Sequence, residues 1–122
     1  MSRVLLVDDE PALLFALSEL LTQKGHRVVT AGCGGEALAR LEGVDVVITD
    51  LAMPGMSGLE LLGRLRARDV QVPVILITAH GSASALAEAL QCGAYGCLSK
   101  PFDNEELAAT VERALAARAD GT

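Results

Sequence analysis

Short apolar runs recur along the chain, and their composition is typical of buried β-strands. They are rich in Val, Leu and Ile, and a polar residue follows each of them. Apolar residues are nearly continuous within a run, which indicates strands covered by helices on both faces and therefore a parallel sheet. Three strong runs span residues 4–7, 44–48 and 72–77, and two weaker runs at 27–31 and 97–99 are predicted to be outer strands.

Segments with helical spacing alternate with these strands. The first begins at Pro11, a residue favoured in the first turn of a helix, and stops at Gly25, a good helix terminator. Its leucines recur on one face, which predicts that this face is buried. The other helices are predicted over 35–41, after a Ser57 cap, over about 82–92, and from after Asp103 to a frayed tail at 119–122.

The third and fifth helices also have an apolar face. On the third, leucines at helical spacing are predicted to face inward, and the arginines near them to stay in solvent. The leucines are Leu59, Leu62 and Leu65, and the arginines are Arg64, Arg66 and Arg68. The fifth has acidic residues in its first turn, which favour the helix dipole. Its predicted buried residues are Leu107, Val111 and Leu115.

Alternating strands and helices predict an α/β fold with right-handed crossovers. We expect a single domain over residues 1–122, with a flavodoxin-like, doubly wound, five-stranded parallel sheet in the order 2-1-3-4-5, flanked by five helices. In such sheets the functional crevice lies beyond the carboxyl ends of the strands, near the switch point between strands one and three. The residues at those ends are therefore the first candidates for a site.

Acidic residues follow the first and third predicted strands. Asp8, Asp9 and Glu10 come after the first, and Asp50 comes after the third. Since these strands are neighbours in the predicted order, Asp8, Asp9 and Asp50 should converge in one pocket. Two carboxylates about 4 Å apart repel by about 4 kcal/mol at an effective dielectric of about 20, so three together require a cation or bound protons. A hard divalent ion such as Mg²⁺ fits, although solvation or helix capping explains any one acid alone equally well.

Lys100 and Thr78 follow the fifth and fourth predicted strands. Lys100 is one of two lysines in the chain, and an ammonium that reaches toward Asp50 would stabilise a phosphoryl group. The hydroxyl of Thr78 could donate to another phosphoryl oxygen. Taken singly, each has an ordinary explanation, as a strand threonine or a surface lysine. We also hypothesise a cis peptide bond between Lys100 and Pro101 that would aim the lysine inward.

Composition excludes several classes of protein. Ten basic and sixteen acidic residues give a formal charge of −6, and the chain has three aromatic residues, so direct nucleic acid contact is not expected. The apolar runs are too short for a membrane span, and no signal-peptide pattern follows Met1, so we expect a cytoplasmic protein without membrane contact. Cys33, Cys92 and Cys97 lack metal-site spacing and are expected to be free, mostly packed thiols.

Four segments of the chain resemble the receiver domain of bacterial two-component response regulators. They are LLVDDE at 5–10, ITDLAMPGMSGLELL at 48–62, PVILITAHG at 73–81 and GAYGCLSKPF at 93–102. The resemblance covers nearly the whole chain. The residues around Asp50, Thr78 and Lys100 are most similar to receivers of the nitrogen-regulation class.

The resemblance implies a CheY-like fold and a phosphoryl-accepting signalling switch of a phosphorelay. Asp50 would accept a phosphoryl group from a sensor histidine kinase and become an aspartyl phosphate, and Thr78 and Lys100 would sense it. Such a domain is not a conventional enzyme, although it would catalyse its own phosphorylation and dephosphorylation. The change would reach the face formed by helix 4, strand 5 and helix 5, which would control a partner or output domain.

The resemblance also implies the ligands of a Mg²⁺ ion beside Asp50. Asp9 would bind the ion directly, Asp8 would help through water, and the carbonyl of Ala52 would complete the protein ligands. The small side chain of Ala52 would leave room for water to approach, and His80 could modulate hydrolysis of the acyl phosphate. A solvent-exposed loop residue is the ordinary interpretation of His80.

The sequence departs from the family at Cys97. Most members have Tyr or Phe three residues before the strand-five lysine, and the rotamer of that aromatic side chain follows the threonine. Cys97 is expected to pack as a small hydrophobic residue, with redox sensing as an alternative. Tyr95 lies too near the start of the strand to replace the missing aromatic. Activation would therefore have to reach helix 4 and strand 5 through Thr78 and the following loop.

The fourth helix has a weakly charged surface, with Glu88 as its one charged residue. Such a surface suits a partner or a homodimer contact, whereas alanine is also simply the best helix former. Two rival functions for the whole chain fit the sequence less well. A flavin or nucleotide site would need a phosphate-binding loop after strand one, where this chain has acids. A magnesium phosphatase would need a second acid at the position of Ala52.

Overall fold

The computed structural model describes residues 2–79 and 83–120, which form strands and helices in strict alternation. The strands are β1 (Arg3–Val7), β2 (Arg27–Ala31), β3 (Val46–Asp50), β4 (Val74–Thr78) and β5 (Gly96–Ser99). The helices are α1 (Pro11–Gln23), α2 (Gly34–Ala39), α3 (Gly58–Ala67), α4 (Ala83–Gln91) and α5 (Asn104–Asp120). No helix in these described ranges is long and apolar enough to cross a membrane.

The five strands form one sheet in the order β2-β1-β3-β4-β5, and every neighbouring pair is parallel. Val4 of β1 pairs with Val28 of β2 on one side and with Val46 of β3 on the other. The predicted α/β fold, its flavodoxin-like order and its five helices are confirmed. Because β1 and β3 are adjacent, their carboxyl ends open at the same edge of the sheet.

Two apolar cores lie on opposite faces of the sheet, because successive residues of a strand point to opposite sides. Leu5 and Val7 of β1 join the core under α2, α3 and α4, whereas Val4 and Leu6 join the core under α1 and α5. Helix residues that complete the two cores include Leu61, Leu62 and Leu65 on one face and Leu17, Leu21, Leu107 and Val111 on the other. This double cover explains why the strand sequences are almost continuously apolar.

The bounds of two central strands differ from the predicted ones. β3 begins at Val46 and β4 at Val74, two residues later than predicted, and they end at Asp50 and Thr78. Val44 instead closes a turn, since its N–H donates to the carbonyl of Leu41 at 3.1 Å. Apolar residues therefore precede both strands without joining the hydrogen-bonded ladder. Polar residues are part of the ladder at the carboxyl ends of both strands.

The helix ends follow the sequence signals in part. Ser57 caps α3 as predicted, and its Oγ accepts the N–H of Glu60 at 3.1 Å. Gly25 follows α1 with φ of +94°, a conformation that glycine adopts readily. α5 continues through residues 119 and 120, two of those predicted to form a frayed tail, while 121 and 122 lie outside the described residues. Arg118 anchors this last stretch through a 2.8 Å bond from its Nη1 to Oδ1 of Asp45.

Arg66 is not solvated as predicted but half-buried. Its guanidinium donates to the carbonyls of Val70, Val72 and Gly93 at 2.7, 3.0 and 3.0 Å. Burial lowers the pKa of Arg66 from its ordinary value. The side chain therefore ties the loop before β4 to the turn before β5, a role that helical spacing alone could not reveal.

The three cysteines are free, as expected, but they are less packed than predicted. Cys33 and Cys92 are exposed, and Cys97 is partly buried. Cys33 precedes the short α2 and Cys92 follows α4, so both lie at helix ends where few side chains cover them.

Candidate phosphoryl-acceptor site

Three carboxylates meet at the carboxyl ends of β1 and β3. Asp8 follows the last residue of β1, and Asp50 is the last residue of β3. One carboxylate oxygen from each of Asp8, Asp9 and Asp50 lies within 4.8 Å of the other two. Asp8 and Asp50 are buried, with 4% and 8% of their surfaces exposed, whereas Asp9 is exposed. The convergence predicted from strand order is therefore present in the structure.

Asp8 is in an unfavourable environment for a negative charge. Burial raises the pKa of Asp8 to about 6, and the nearby charge of Asp50 acts in the same direction. The N–H of Glu10, which donates to Oδ1 of Asp8 at 2.9 Å, and the ammonium of Lys100 oppose this rise only in part. The pocket thus holds more negative charge than its own donors compensate.

The two oxygens of Asp50 have different partners. Oδ1 accepts the backbone N–H of Ala52 at 3.0 Å, and Oδ2 lies 3.3 Å from Nζ of Lys100. These contacts orient the carboxylate at the carboxyl edge of the sheet. The N–H of Ala52 is a contact that sequence reasoning missed, because it depends on how the loop after β3 turns back over the strand end.

Lys100 reaches the acidic pocket from the end of β5. Ser99 pairs with Thr78 in the sheet, and the N–H of Lys100 donates to the carbonyl of Thr78 at 2.8 Å. The Lys100–Pro101 peptide is cis, as hypothesised from the sequence. The lysine side chain is 29% exposed and points toward Asp50 across the end of β4.

Thr78 is the last residue of β4 and is 6% exposed. Since β4 lies between β3 and β5, Thr78 occupies the sheet position between Asp50 and Lys100. All three residues predicted to handle the phosphoryl group thus lie at one edge of the sheet. His80, the remaining candidate, lies outside the described residues.

The loop after β3 is held close to the strand end by backbone contacts. The N–H of Leu51 donates to the carbonyl of Ile77 at 2.7 Å, and the N–H of Gly58 donates back to the carbonyl of Leu51 at 2.8 Å. A Cβ at Gly58 would lie 2.5 Å from the carbonyl oxygen of Asp50, which is closer than real side chains come. Gly58 is therefore a site residue that sequence reasoning missed, although its place at the start of a helix was a signal.

Cys97 packs as expected for a small hydrophobic residue. It is partly buried against the core under α2, α3 and α4, and burial raises the pKa of its thiol. Tyr95 precedes β5 and is 37% exposed, with its N–H bonded to the carbonyl of Val74 at 2.8 Å. Neither residue places an aromatic ring at the position three before Lys100.

The exposed surface near β5 is partly apolar. Leu86 and Leu90 of α4 are 41% and 48% exposed, while Ala89 is buried. We call the three partly exposed apolar residues Leu86, Leu90 and Tyr95 the α4 face. Its exposed leucines make this surface more apolar than the weakly charged, alanine-rich surface expected from the sequence.

Comparison with known proteins identifies the class to which this site belongs. The profile of the family described as "Response regulator receiver domain" matches residues 4–112. The chain therefore belongs to the response regulator receiver family, the signalling domains of two-component systems. Among its relatives, the transcriptional regulatory protein GlrR of Escherichia coli (strain K12) is 42% identical over 99% of this chain and 28% of that protein.

A second relative and two solved structures agree with this class. The DNA-binding transcriptional regulator NtrC of Salmonella typhimurium is 41% identical over 92% of this chain and 24% of that protein, which confirms the resemblance to the nitrogen-regulation class. The chain spans about a quarter of the length of these two regulators. A receiver domain protein of Clostridium thermocellum has a TM-score of 0.93 at 29% identity, with all of both chains covered. The chemotaxis protein CheY4 of Vibrio cholerae has a TM-score of 0.89 at 36% identity, covering 94% of this chain and 99% of that one.

Proposed function

We propose that this chain is a phosphoryl-accepting switch in which Asp50 receives a phosphoryl group from a sensor histidine kinase with the help of Mg²⁺. The observation that carries the proposal is the arrangement around Asp50. Its carboxylate lies between two further acids and the ammonium of Lys100, at the carboxyl edge of a parallel sheet. Residues 1–122 would form one receiver domain.

The residues of the pocket fit a magnesium ion. Mg²⁺ prefers oxygen ligands and commonly keeps several waters, and three converging carboxylates supply such ligands. The raised pKa of Asp8 indicates negative charge that a cation would neutralise. Asp8, Asp9, Asp50 and the carbonyl of Ala52 would hold the ion. When bound, it would offset charge on the phosphoryl oxygens during transfer.

The side chains around Asp50 then have distinct tasks. An oxygen of Asp50 attacks the phosphorus atom, so that a P–O bond forms as the P–N bond to the donor histidine breaks. Lys100 moves from the free carboxylate to a phosphoryl oxygen, and the hydroxyl of Thr78 donates to another. The N–H of Ala52, already 3.0 Å from Oδ1 of Asp50, helps to keep the nucleophile oriented. The small side chain of Ala52 leaves space for the water that later removes the phosphoryl group.

This arrangement favours a signalling switch over the two rival functions. A bound flavin or nucleotide phosphate would meet the uncompensated acids after β1, which repel anions. A phosphatase acting on separate substrates would need a second acid at the position that Ala52 occupies. The chain would instead modify itself once, with the aspartyl phosphate as its signal.

Phosphorylation of Asp50 would change the structure of the α4 face and of the neighbouring β5 and α5. The exposed Leu86, Leu90 and Tyr95 favour contact with a partner or with a second copy of the chain. Because Cys97 replaces the usual aromatic residue, the change at Thr78 would reach α4 through the intervening loop. We propose no direct nucleic acid contact by this domain, since its charge is negative.

Modification by a small phosphoryl donor tests the proposal. Wild-type protein incubated with acetyl phosphate and Mg²⁺ should gain one phosphoryl group by intact mass, and Asp50→Asn should gain none. Asp69→Asn is the matched control, because Asp69 is exposed and has φ of 60°, where Asn is well tolerated. Equal modification of wild type and Asp50→Asn, or none of either, would overturn the proposed function.

A further inference from the structure

The first residue of α2 lies against the loop that carries Ala52. Gly34 is buried, and a Cβ added to it would lie 3.1 Å from both Cβ and Cγ of Met56, with Sδ nearer still. A flexible side-chain end can move aside, but Cβ of Met56 follows the backbone. A Cβ at position 34 would therefore require Cβ and Cγ of Met56 to shift by a few tenths of an ångström and the end of its side chain to move aside.

Met56 belongs to a closed loop, defined here as residues 51–58 and called the acceptor loop. Its two ends are joined by the bond from Gly58 N–H to Leu51 O at 2.8 Å, and Met56 N–H donates to Pro54 O at 3.0 Å. The same loop presents the N–H of Ala52 to Asp50. Because these contacts close the loop, we expect a shift of Met56 to move the N–H of Ala52 as well.

The side chain of Met56 also anchors the loop to the protein. It is partly buried and packs against the core under α2, α3 and α4. Gly34 is the residue at which α2 approaches the loop, and because it has no side chain, it leaves space for the side chain of Met56. The contact joins two segments that are more than twenty residues apart and that share no hydrogen-bonded strand.

We propose that Gly34 is a positioning residue for the phosphoryl-acceptor site, acting through Met56 on the loop that carries Ala52. The inference rests on the proposed function and adds to it a residue outside the acidic pocket. The three atoms nearest to a Cβ at Gly34 all belong to Met56, and the effect of Gly34 is to let the acceptor loop seat Ala52 beside Asp50. A substitution at Gly34 should therefore weaken Mg²⁺ binding without removing any ligand.

The neighbouring Gly35 supplies a matched control. It is also in the first turn of α2 but is exposed, and a Cβ there would meet only Sγ of Cys33, at 4.0 Å, within the part of the chain that the structure describes. Alanine is a better helix former than glycine at both positions. An effect through helix stability would thus be similar at Gly34 and Gly35, and an effect through Met56 would be confined to Gly34.

The test is Mg²⁺ affinity measured by calorimetry, with acetyl phosphate modification as a second readout. Gly34→Ala should bind Mg²⁺ roughly tenfold more weakly, the size expected when support of a ligand is lost. Gly35→Ala should match wild type. In a Met56→Ala background, which removes Cγ and Sδ but keeps Cβ, Gly34→Ala should cause a smaller further loss than it does beside Met56, so the two changes should not be additive.

The outcomes separate this inference from the proposed function. Wild-type affinity in Gly34→Ala, or equal loss in Gly35→Ala, would overturn the positioning role alone. A wild-type chain that takes up neither Mg²⁺ nor a phosphoryl group would overturn the proposed function and the inference with it. If Gly34→Ala does not fold, Met56→Ala alone decides: weaker Mg²⁺ binding with an intact fold supports the anchor, and unchanged binding refutes it.

Discussion

The ammonium nitrogen of Lys100 lies 3.3 Å from Oδ2 of Asp50, although 50 residues separate them in the sequence. β4 lies between β3, which ends at Asp50, and β5, which Lys100 follows, so the side chains meet across the end of a strand rather than along it. Among the described residues, Lys100 is the one cation paired with an acid of this three-carboxylate pocket. At this position it compensates charge in the resting site and, in the proposed function, would contact a phosphoryl oxygen.

Replacing Lys100 with Ala should therefore have two effects. At neutral pH without Mg²⁺ the protein should lose roughly 1–2 kcal/mol of stability, because partly buried acids lose their counter-charge. Modification by acetyl phosphate should slow by on the order of a hundredfold and should no longer change the α4 face. Urea unfolding and intact mass measure the two effects.

Lys24→Ala is the control for this change. Lys24 pairs with Glu105 at 3.3 Å, but both side chains are well exposed, so its removal should cost less than about 1 kcal/mol. Equal loss of stability in the two variants would show that the charge of Lys100 has no special role in the pocket.

The pH dependence of the site should follow Asp8. Its pKa is raised to about 6 in the folded protein, so its protonated form favours folding. This contribution is complete below the ordinary pKa of 3.8 and is lost as the pH rises through about 6, at a cost of up to about 3 kcal/mol. Urea titrations of the metal-free protein at successive pH values should show the decline.

The affinity for Mg²⁺ should depend on pH in the opposite direction to the stability of the metal-free protein. The ion requires an ionised Asp8, so protons compete with it and its apparent affinity should fall as the pH drops below about 6. Calorimetry in buffers of different ionisation enthalpy should detect proton release on binding at about pH 6. Asp8→Asn should abolish that release, and an Asp8→Asn protein that still releases a proton would assign the titration to another group.

Gly58→Ala should destabilise the chain through the backbone. A Cβ at Gly58 would lie 2.5 Å from the carbonyl oxygen of Asp50 and 3.0 Å from Cα of Leu51, so the helix and the strand end would have to separate. We expect a loss of roughly 2–4 kcal/mol in urea unfolding.

Gly63→Ala, in the same helix, provides the comparison. Apart from its chain neighbours and its own helix backbone, no atom in the described part of the chain lies within 4 Å of a Cβ there, so the better helix former should stabilise the protein by up to about 1 kcal/mol. If both variants gain stability, the close approach of α3 to Asp50 is not a constraint.

Activation should proceed without an aromatic side chain at position 97. A beryllium fluoride mimic of the phosphoryl group should shift amide resonances at Leu86 and Leu90, and Cys97→Ala should preserve these shifts because the thiol is only packed. Asp50→Asn provides the unresponsive baseline. If the wild-type amide resonances at α4 do not shift, the proposed route is wrong. If Cys97→Ala loses the shifts, Cys97 takes part in transmitting the change.

Much of the fold follows from local pattern. Nearly continuous apolar runs separated by helical segments predicted a parallel sheet covered on both faces, and the connection rules predicted its order. The acids at the ends of β1 and β3 and the lysine after β5 could be assigned to one edge because carboxyl ends of parallel strands open together. These inferences need only residue type, spacing and chain direction.

The tertiary structure alone decided the details that depend on distant neighbours. The start of β3 at Val46, the burial of the Arg66 guanidinium and the contact of Gly34 with Met56 each join residues that no local period relates. The chain's own sequence thus determined which groups gather at the site, because side-chain pattern and strand direction are local properties. The distances between these groups, and the contacts that hold them in place, were decided only when separate segments of the chain packed together. Hydrogen-bond register and close approach each depend on two segments and not on one.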